Sequence, residues 1–349
     1  MRIQVFRFLS VLSIVVAFGT VLNAQQSCSP CAPVPNACGP APIYSEPCYE
    51  CDNFVQVPCF YGKLESVFWN LDGNGRSLIL RDVRGQDQTA FSGNDIDPYT
   101  NGSARVLLGL NLTAQTGIEG QYNGFHHWRS AYQLNGDNDL SLPGALGAAT
   151  NDFFAADQMN ISSEIDFHSA EINIVKRTRS PHLVWLAGFR YINFEEYLGI
   201  NSTVEDIALY HSSDYNVRTK NDLYGGQLGV KWERPIGERL GLQCVGKAGL
   251  FSNNARQHSL MYDDDNQFEM RNVKRKERST PFAGELNLGG YIKITENVML
   301  TGGYNLMWVG DIARAADQMD FTYTTESSKF VATDTLFMHG AHVGAEWRF

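Results

Sequence analysis

Charged side chains are scarce in this chain, and long apolar runs and catalytic motifs are largely missing. Asp, Glu, Lys and Arg make up 19% of the 349 residues, against roughly 25% in ordinary soluble domains. Beyond residues 8–22, no apolar stretch approaches the ~18 residues that a membrane-spanning helix requires. The phosphate-binding loop, the nucleophile elbow and the zinc-protease helix motif are all absent. These absences predict a protein that is not an enzyme and holds no cofactor or metal. If it spans a membrane, it does so with strands.

Basic residues are too few to favour a nucleic-acid partner. The formal net charge is −10, whereas binding a phosphate backbone requires patches of Lys and Arg. One basic run follows directly after the acidic residues 263–265. It consists of Arg271, Lys274, Arg275, Lys276 and Arg278. We interpret the acidic and basic runs together as a solvated loop of mixed charge.

The first 24 residues predict an export signal. Arg2 and Arg7 form a positive start, residues 8–22 are apolar, and Ala24 is a suitable last residue before cleavage. The apolar run is too short for a comfortable membrane helix. We therefore expect residues 1–24 to be removed after export.

Residues 25–59 form a second segment, which is rich in cysteine and proline and shows no hydrophobic periodicity. Its two C-x-x-C pairs would suggest zinc in a cytosolic protein, but behind an export signal disulfides are favoured. The candidate disulfide cysteines are Cys28, Cys31, Cys38, Cys48, Cys51 and Cys59. Six cysteines allow 15 connectivities, and the sequence does not choose among them. Some could also link this segment to other envelope proteins.

From Phe60 onward, apolar and polar residues alternate with the period of a β-strand. In the last run the apolar parity holds Phe337, Ala341, Val343, Ala345, Trp347 and Phe349. Charged residues on the other parity cannot all face a dry core, but they fit a wet lumen with the apolar parity facing lipid. We expect Phe349, together with Trp347, to be the signal that the barrel-assembly machinery recognises.

Ten candidate strands follow this pattern. They lie at about 60–70, 103–113, 115–129, 161–178, 181–200, 220–235, 239–256, 276–295, 297–312 and 335–349. Short turns alternate with long connections, which fall at 71–102, 130–160, 201–219, 257–275 and 313–334. This alternation predicts an all-β fold over residues 60–349. The fold would be an antiparallel up-and-down transmembrane β-barrel of about ten strands, within a range of 8 to 12, with both termini in the periplasm.

Four sequence blocks together have the pattern of a known protein family. They are residues 188–195, 221–229, 303–311 with 316–318 after them, and 339–349. These blocks resemble the beta-barrel porin-7 family of bacterial envelopes, and the resemblance is strongest after Leu183. It implies a barrel in the bacterial outer membrane. It implies no catalytic or ligand-binding residues.

The predicted function is that of a non-enzymatic barrel surrounded by outer-membrane lipid. Eight strands are just filled by side chains, and open aqueous pores need about 16 strands. We therefore expect a narrow or plugged lumen that serves small-solute passage or envelope structure. Two alternatives stay open: a secreted soluble β-domain, and an outer-membrane hydrolase with a Ser–His pair on its wall. His168 and Ser169 are neighbours of that kind, although adjacent strand residues face apart.

Overall fold

The computed structural model describes residues 59–73, 75–96, 101–149, 153–205, 210–264, 267–322 and 330–349. The chain divides into two compact units, 1–54 and 55–349, and every described residue belongs to the second. The predicted export signal and five of the six candidate disulfide cysteines lie outside the described residues. Within the described residues, no helix has the length and apolarity needed to cross a membrane.

The described residues form thirteen strands, two short α-helices and one 3₁₀-helix (Gly93–Asp95). The strands are β1 (Phe60–Leu71), β2 (Ser77–Asp82), β3 (Asp87–Ser92), β4 (Asn101–Asn111), β5 (Thr116–Ser141), β6 (Ala156–Arg177), β7 (Leu183–Glu205), β8 (Tyr210–Ile236), β9 (Leu240–Asp263), β10 (Phe268–Ser279), β11 (Phe282–Lys293), β12 (Val298–Ile312) and β13 (Asp334–Arg348). The helices are α1 (Gly144–Ala149) and α2 (Ala315–Gln318).

Ten of these strands close an antiparallel barrel, in the order β1-β4-β5-β6-β7-β8-β9-β11-β12-β13 and back to β1. The last residue takes part in the closure, because the Phe349 amide donates to the Phe60 carbonyl at 2.8 Å and the Phe60 amide donates to the Phe349 carbonyl at 3.1 Å. The predicted fold class and strand number are confirmed.

The remaining three strands extend the end of the barrel that is opposite to Phe60 and Phe349. We call this the upper end, and the end with Phe60 and Phe349 the lower end. The β2–β3 hairpin pairs with the end of β5, and β10 pairs with the upper half of β9. The lower half of β9 pairs with β11. Between β10 and β11 stands Pro281, which has no amide hydrogen to give to a ladder. The sequence predicted one strand over 276–295, and this break divides it into two.

In the lower half of the barrel, the apolar parity faces outward. Trp185, Phe189, Leu228 and Leu250 are 49–70% exposed, although they are large and apolar. The outward apolar stretch of β8, from Tyr224 to Trp232, is 9 residues long, within the ~9–11 that a tilted strand needs to cross a bilayer. This surface is the lipid-facing belt.

In the upper half the apolar residues change to the inward-facing parity, which we call the phase inversion. Leu198, Ile200, Tyr215 and Val217 point inward and are at most 1% exposed, and they belong to one apolar cluster in the interior. Their outward neighbours, such as Asn216, are polar. A polar outside and an apolar inside are what a strand in water requires. The upper half therefore stands above the lipid as a β-structure with its own core.

This inversion corrects the predicted loops. The connections expected at 130–160, 201–219 and 257–275 are mostly strand, because β5 to β9 run for 22–27 residues each. The basic run of residues 271–278 is likewise not a loop, since it forms most of β10. The polar outward residues of the upper half broke the apolar pattern by which the strands were recognised.

Candidate functional site: the barrel interior

The interior at the level of the lipid-facing belt is crossed by a network of charged side chains. Glu285 of β11 stands at its centre. Its Oε2 lies 2.6 Å from Nη1 of Arg190 on β7, and its Oε1 lies 3.5 Å from Nη1 of Arg105 on β4. β11 and β4 are separated by β12, β13 and β1. The contacts therefore run through the lumen from one wall to the opposite one.

The network continues to both sides of this centre. Arg105 Nε lies 2.7 Å from Oε2 of Glu65, which also pairs with Lys63 Nζ at 2.6 Å. On the other side, Arg190 Nε is 3.8 Å from Glu171 Oε2, and Glu171 also pairs with Lys247 of β9. The side chains of Glu65, Arg105, Glu171, Arg190, Lys247 and Glu285 are at most 8% exposed.

Polar neighbours accept from or donate to further atoms of the network. Arg105 Nη2 donates to Asn305 Oδ1 at 3.0 Å, Arg190 Nε donates to Ser169 Oγ at 2.9 Å, and Gln227 Nε2 donates to Glu171 Oε2 at 2.9 Å. Buried charges are stable only when they are paired and hydrogen-bonded in this way. The layer is therefore a polar core of paired, buried side chains at the level of the lipid-facing belt.

Above this layer, the connection from β12 to β13 folds into the barrel. The guanidinium of Arg314 meets the carboxylate of Glu196 on β7, with Nη2 3.1 Å from Oε1 and Nε 3.1 Å from Oε2. Burial lowers the pKa of Arg314, but the Glu196 carboxylate outweighs it and raises that pKa above its ordinary value. The guanidinium therefore keeps its charge at any neutral pH.

Backbone contacts fix the same connection, which we call the plug (residues 313–322). Asn221 of β8 accepts from the Ala313 amide at 2.9 Å and donates to the Ala313 carbonyl at 2.8 Å. Arg76 donates to the carbonyls of Asp317 and Met319, each at 2.5 Å. Arg271 donates to the carbonyls of two further plug residues, Asp320 at 2.7 Å and Thr322 at 2.5 Å.

The plug fills the space that it enters. Ala313, Ala315 and Met319 are fully buried. A cavity of about 10 Å³ remains beside Arg314 and Glu196, which is close to the least space that one water needs. Side chains and plug together occupy the interior at two successive levels.

The sequence blocks that build this interior belong to a known family. A family model described as "Putative beta barrel porin-7 (BBP7)" matches residues 81–349. The chain belongs to this family. It is accordingly a β-barrel of the bacterial outer membrane, as the resemblance implied. No curated protein matches the chain.

Solved structures of other proteins are similar to this porin-7 barrel at low sequence identity. The chain is similar to the outer membrane protease OmpT from Escherichia coli, with 9% identity, 83% of this chain and 96% of that chain covered, and a TM-score of 0.42. It is also similar to the translocator domain of the autotransporter NalP from Neisseria meningitidis. There the identity is 9%, the coverage is 84% of this chain and 90% of that chain, and the TM-score is 0.37.

Charged residues of β7 lie on both faces of the porin-7 barrel wall. Arg190 and Glu196 face the lumen, where Arg190 pairs with Glu285 and Glu171, and Glu196 pairs with Arg314. Glu195 lies on the opposite parity and faces outward, where Lys220 contacts it at 2.5 Å. Sequence reasoning missed Glu285 and Arg314, because the first sits in an apolar strand pattern and the second in a predicted loop.

Two tryptophans of the barrel strands lie inside the barrel and not on its lipid-facing surface. Trp69 and Trp128 are 0% and 2% exposed. Trp69 has inward parity on β1. For Trp128 the cause is a register shift between Asn123 and His126, with Phe125 at φ 65°, which moves the following even-numbered residues of β5 inward. Trp232, Trp308 and Trp347 lie on the outward parity.

One Ser–His pair does form in the porin-7 barrel, although not the one that the sequence suggested. Ser103 Oγ lies 2.6 Å from Nε2 of His126. His126 is 0% exposed, and its ring stacks on Trp128 at 5.2 Å and packs on Phe167 at 5.6 Å. His168 and Ser169 face opposite sides of β6, and Ser169 bonds Arg190. Both serines are buried, with Ser103 9% and Ser169 3% exposed.

The remaining candidate residues stay predictions. Cys59 is exposed at the start of β1, and its carbonyl accepts from the Asn111 amide at 2.9 Å. Phe349 is 56% exposed on the outward parity, in a position that a recognition factor could reach. Among the described residues, no three His, Cys, Asp or Glu side chains are grouped closely enough to hold a metal ion.

Proposed function

We propose that this chain is a structural outer-membrane barrel whose lumen is closed to solutes. The observation that carries the proposal is the continuous path Arg105–Glu285–Arg190, which joins opposite walls inside the lipid-facing belt. A ten-strand barrel is only slightly wider than the eight-strand barrels that side chains fill. A few long paired side chains are enough to block it.

The energetics of the network support a permanently closed interior. An open passage would require the charges to separate, and breaking a buried ion pair costs about 3–5 kcal/mol when one partner is left uncompensated. Glu285 serves two arginines, and Glu171 serves Arg190 and Lys247. Opening would therefore break several contacts together. The plug above adds the Arg314–Glu196 pair to that cost.

A role without catalysis is part of the proposal. The buried Ser103–His126 pair packs between aromatic rings and offers no acidic partner to the second ring nitrogen within the described residues. A nucleophile acts only if a substrate atom can approach it to about 3–3.5 Å. The charged layer below and the plug above leave no such approach from inside.

The soluble secreted β-domain is disfavoured by the outward apolar belt. Leu228 is 70% exposed and Leu250 is 63% exposed, on neighbouring strands of the same surface. Monomeric soluble proteins rarely expose apolar patches beyond a few hundred Å². The phase inversion from an outward to an inward apolar parity is instead expected where a strand leaves lipid for water.

Solute uptake by reconstituted liposomes tests the proposal. The purified, folded full chain in liposomes should give no swelling in arabinose or glycine above that of protein-free liposomes. A general porin of known activity, reconstituted at the same ratio, serves as the positive control. Swelling that scales with the amount of chain would contradict a closed lumen and favour a narrow passage for small solutes.

A further inference from the structure

The outward face of the upper barrel wall carries a cluster of basic side chains on three adjacent strands. Arg218 of β8 is opposite His258 of β9, which is opposite Lys274 of β10. In the neighbouring row, Lys220 is opposite Arg256, and Arg256 is opposite Lys276. We call these two rows the basic groove.

The groove is a surface depression and not a scatter of single charges. A cleft of about 390 Å³ is bordered by all six of these side chains. The guanidinium of Arg218 is held over the Tyr197 ring at 5.5 Å. Neighbouring members of one row are on strands about 4.8 Å apart, and the two rows are two residues apart along the strands, which is about 6.6 Å. All six side chains therefore border one common space.

Positive charge exceeds negative charge around the groove. Two carboxylates contact it, Glu195 at 2.5 Å from Lys220 and Asp222 at 4.0 Å from Arg256. Within the described residues, Lys274 and Lys276 form no ion pair, and Arg256 is 54% exposed. Five Lys and Arg side chains thus face two carboxylates, in a chain whose net charge is −10. The excess is local and calls for an anionic partner.

The height of the groove above the lipid-facing belt identifies the kind of anion. Tyr224 and Tyr191 pack together at 4.8 Å between ring centres at the upper edge of the belt, where aromatic side chains mark the lipid–water interface. Lys220 is four residues above Tyr224 on the same outward parity, which is roughly 13 Å along the strand. That is the level of lipid headgroups, and Leu228 and Leu250 lie below it on the same strands.

We propose that the basic groove binds the phosphate groups of a phosphorylated lipid of the outer leaflet, whose acyl chains lie on the apolar wall below. Each Lys or Arg near a charged membrane surface contributes separately to such binding. The two rows of cations would hold more than one phosphate. The inference rests on the proposed outer-membrane barrel and on the orientation predicted from the sequence, in which both termini lie in the periplasm and the upper end of the barrel faces outward from the cell.

Lipid binding can be measured by native mass spectrometry on the folded full chain released from detergent micelles. The probe is diphosphorylated lipid A, and the comparison is the same lipid after removal of both phosphates. Inorganic phosphate and heparin, tested as competitors, distinguish a lipid phosphate from a soluble anion. The triple variant Arg218→Gln, Lys274→Gln, Lys276→Gln removes three cations of the groove. The matched control Arg179→Gln, Arg234→Gln, Arg239→Gln removes three exposed cations at the opposite end.

We expect the chain and the control variant to bind diphosphorylated lipid A equally, and the groove variant to bind it about tenfold more weakly or worse. The dephosphorylated lipid should bind no better to the chain than to the groove variant. Equal losses in the two triple variants, or binding of heparin or phosphate that displaces the lipid completely, would overturn the proposal. Because the groove is outside the lumen, liposome swelling by the groove variant separately reports whether the closed barrel survives.

Discussion

The guanidinium of Arg314 and the carboxylate of Glu196 meet inside the barrel, with three nitrogen–oxygen contacts of 3.1–3.2 Å. Glu196 Oε2 also accepts from the Ala315 amide at 2.6 Å. One carboxylate of the wall thus holds both the side chain and the backbone of the plug.

Replacing Glu196 by Gln should destabilise the barrel, because it leaves the Arg314 charge buried without a counter-ion. Losses of about 3–5 kcal/mol are typical of such a change. Urea unfolding in phospholipid vesicles measures the loss. The double variant Glu196→Gln, Arg314→Met should recover part of it. If the single and double variants were equally stable, the pair would not be what holds the plug.

Replacing Glu285 by Gln should cost more than replacing an exposed carboxylate. Glu285 is 6% exposed and contacts two arginines. Glu164, which pairs with Arg129 on the outer surface at 3.0 Å and is 38% exposed, is the matched control. Surface pairs contribute about 0–1 kcal/mol. On heating, the folded barrel changes from a compact to an extended gel band. The temperature of this change should fall clearly for Glu285→Gln and hardly at all for Glu164→Gln. Equal shifts would contradict a packed ionic core.

The phase inversion predicts that the outward face of β8 tolerates an introduced charge in the upper half but not in the lipid-facing belt. Leu228→Arg places a cation in the lipid-facing belt, which costs about 2–4 kcal/mol at the bilayer midplane. Asn216→Arg places it on the outward face of the upper half, in water, and should cost only the hydrogen bond that the Tyr197 hydroxyl donates to Asn216, about 1 kcal/mol. Urea unfolding in vesicles compares the two. A soluble domain would accept arginine at both outward positions, so a neutral Leu228→Arg would argue against the membrane belt.

Phe349 is expected to act on assembly in the cell more than on the stability of the folded barrel. Its backbone closes the barrel through two hydrogen bonds to Phe60, and Phe349→Ala keeps both. We expect Phe349→Ala to lower the amount of folded protein in the outer membrane of cells while refolding in detergent stays unchanged. An equal loss in refolding would assign the ring to packing instead of recognition.

Much of the fold could be predicted from the alternation of residues such as Leu286, Leu288 and Ile292, because lipid-facing strands keep one apolar parity. The short turns followed from the same pattern. The upper strands could not be recognised this way, since Ile192, Phe194 and Leu198 carry the apolar parity on the face opposite to Phe189. A search for such a change of phase would have indicated both the strand length and the membrane boundary.

The interior was only partly predictable, for a different reason. Alternating charges such as Glu171 and Arg190 indicate a polar lumen, but pairing across it depends on strands far apart in the sequence. Arg105 and Glu285 are 180 residues apart and meet only because the barrel closes. The inward turn of Trp128 depends on one extra residue in β5, which no local pattern reveals.

Planar-bilayer conductance tests the closed lumen most directly. The folded full chain should give no stable current steps. A triple variant removes the bridge across the lumen, with a net loss of one positive charge: Arg105→Ala, Arg190→Ala, Glu285→Ala. The folded triple variant should give small current steps. The variant Arg129→Ala, Arg179→Ala, Glu164→Ala makes the same change of charge on exposed residues and should stay silent. Reproducible current steps from the unmodified chain would contradict the account.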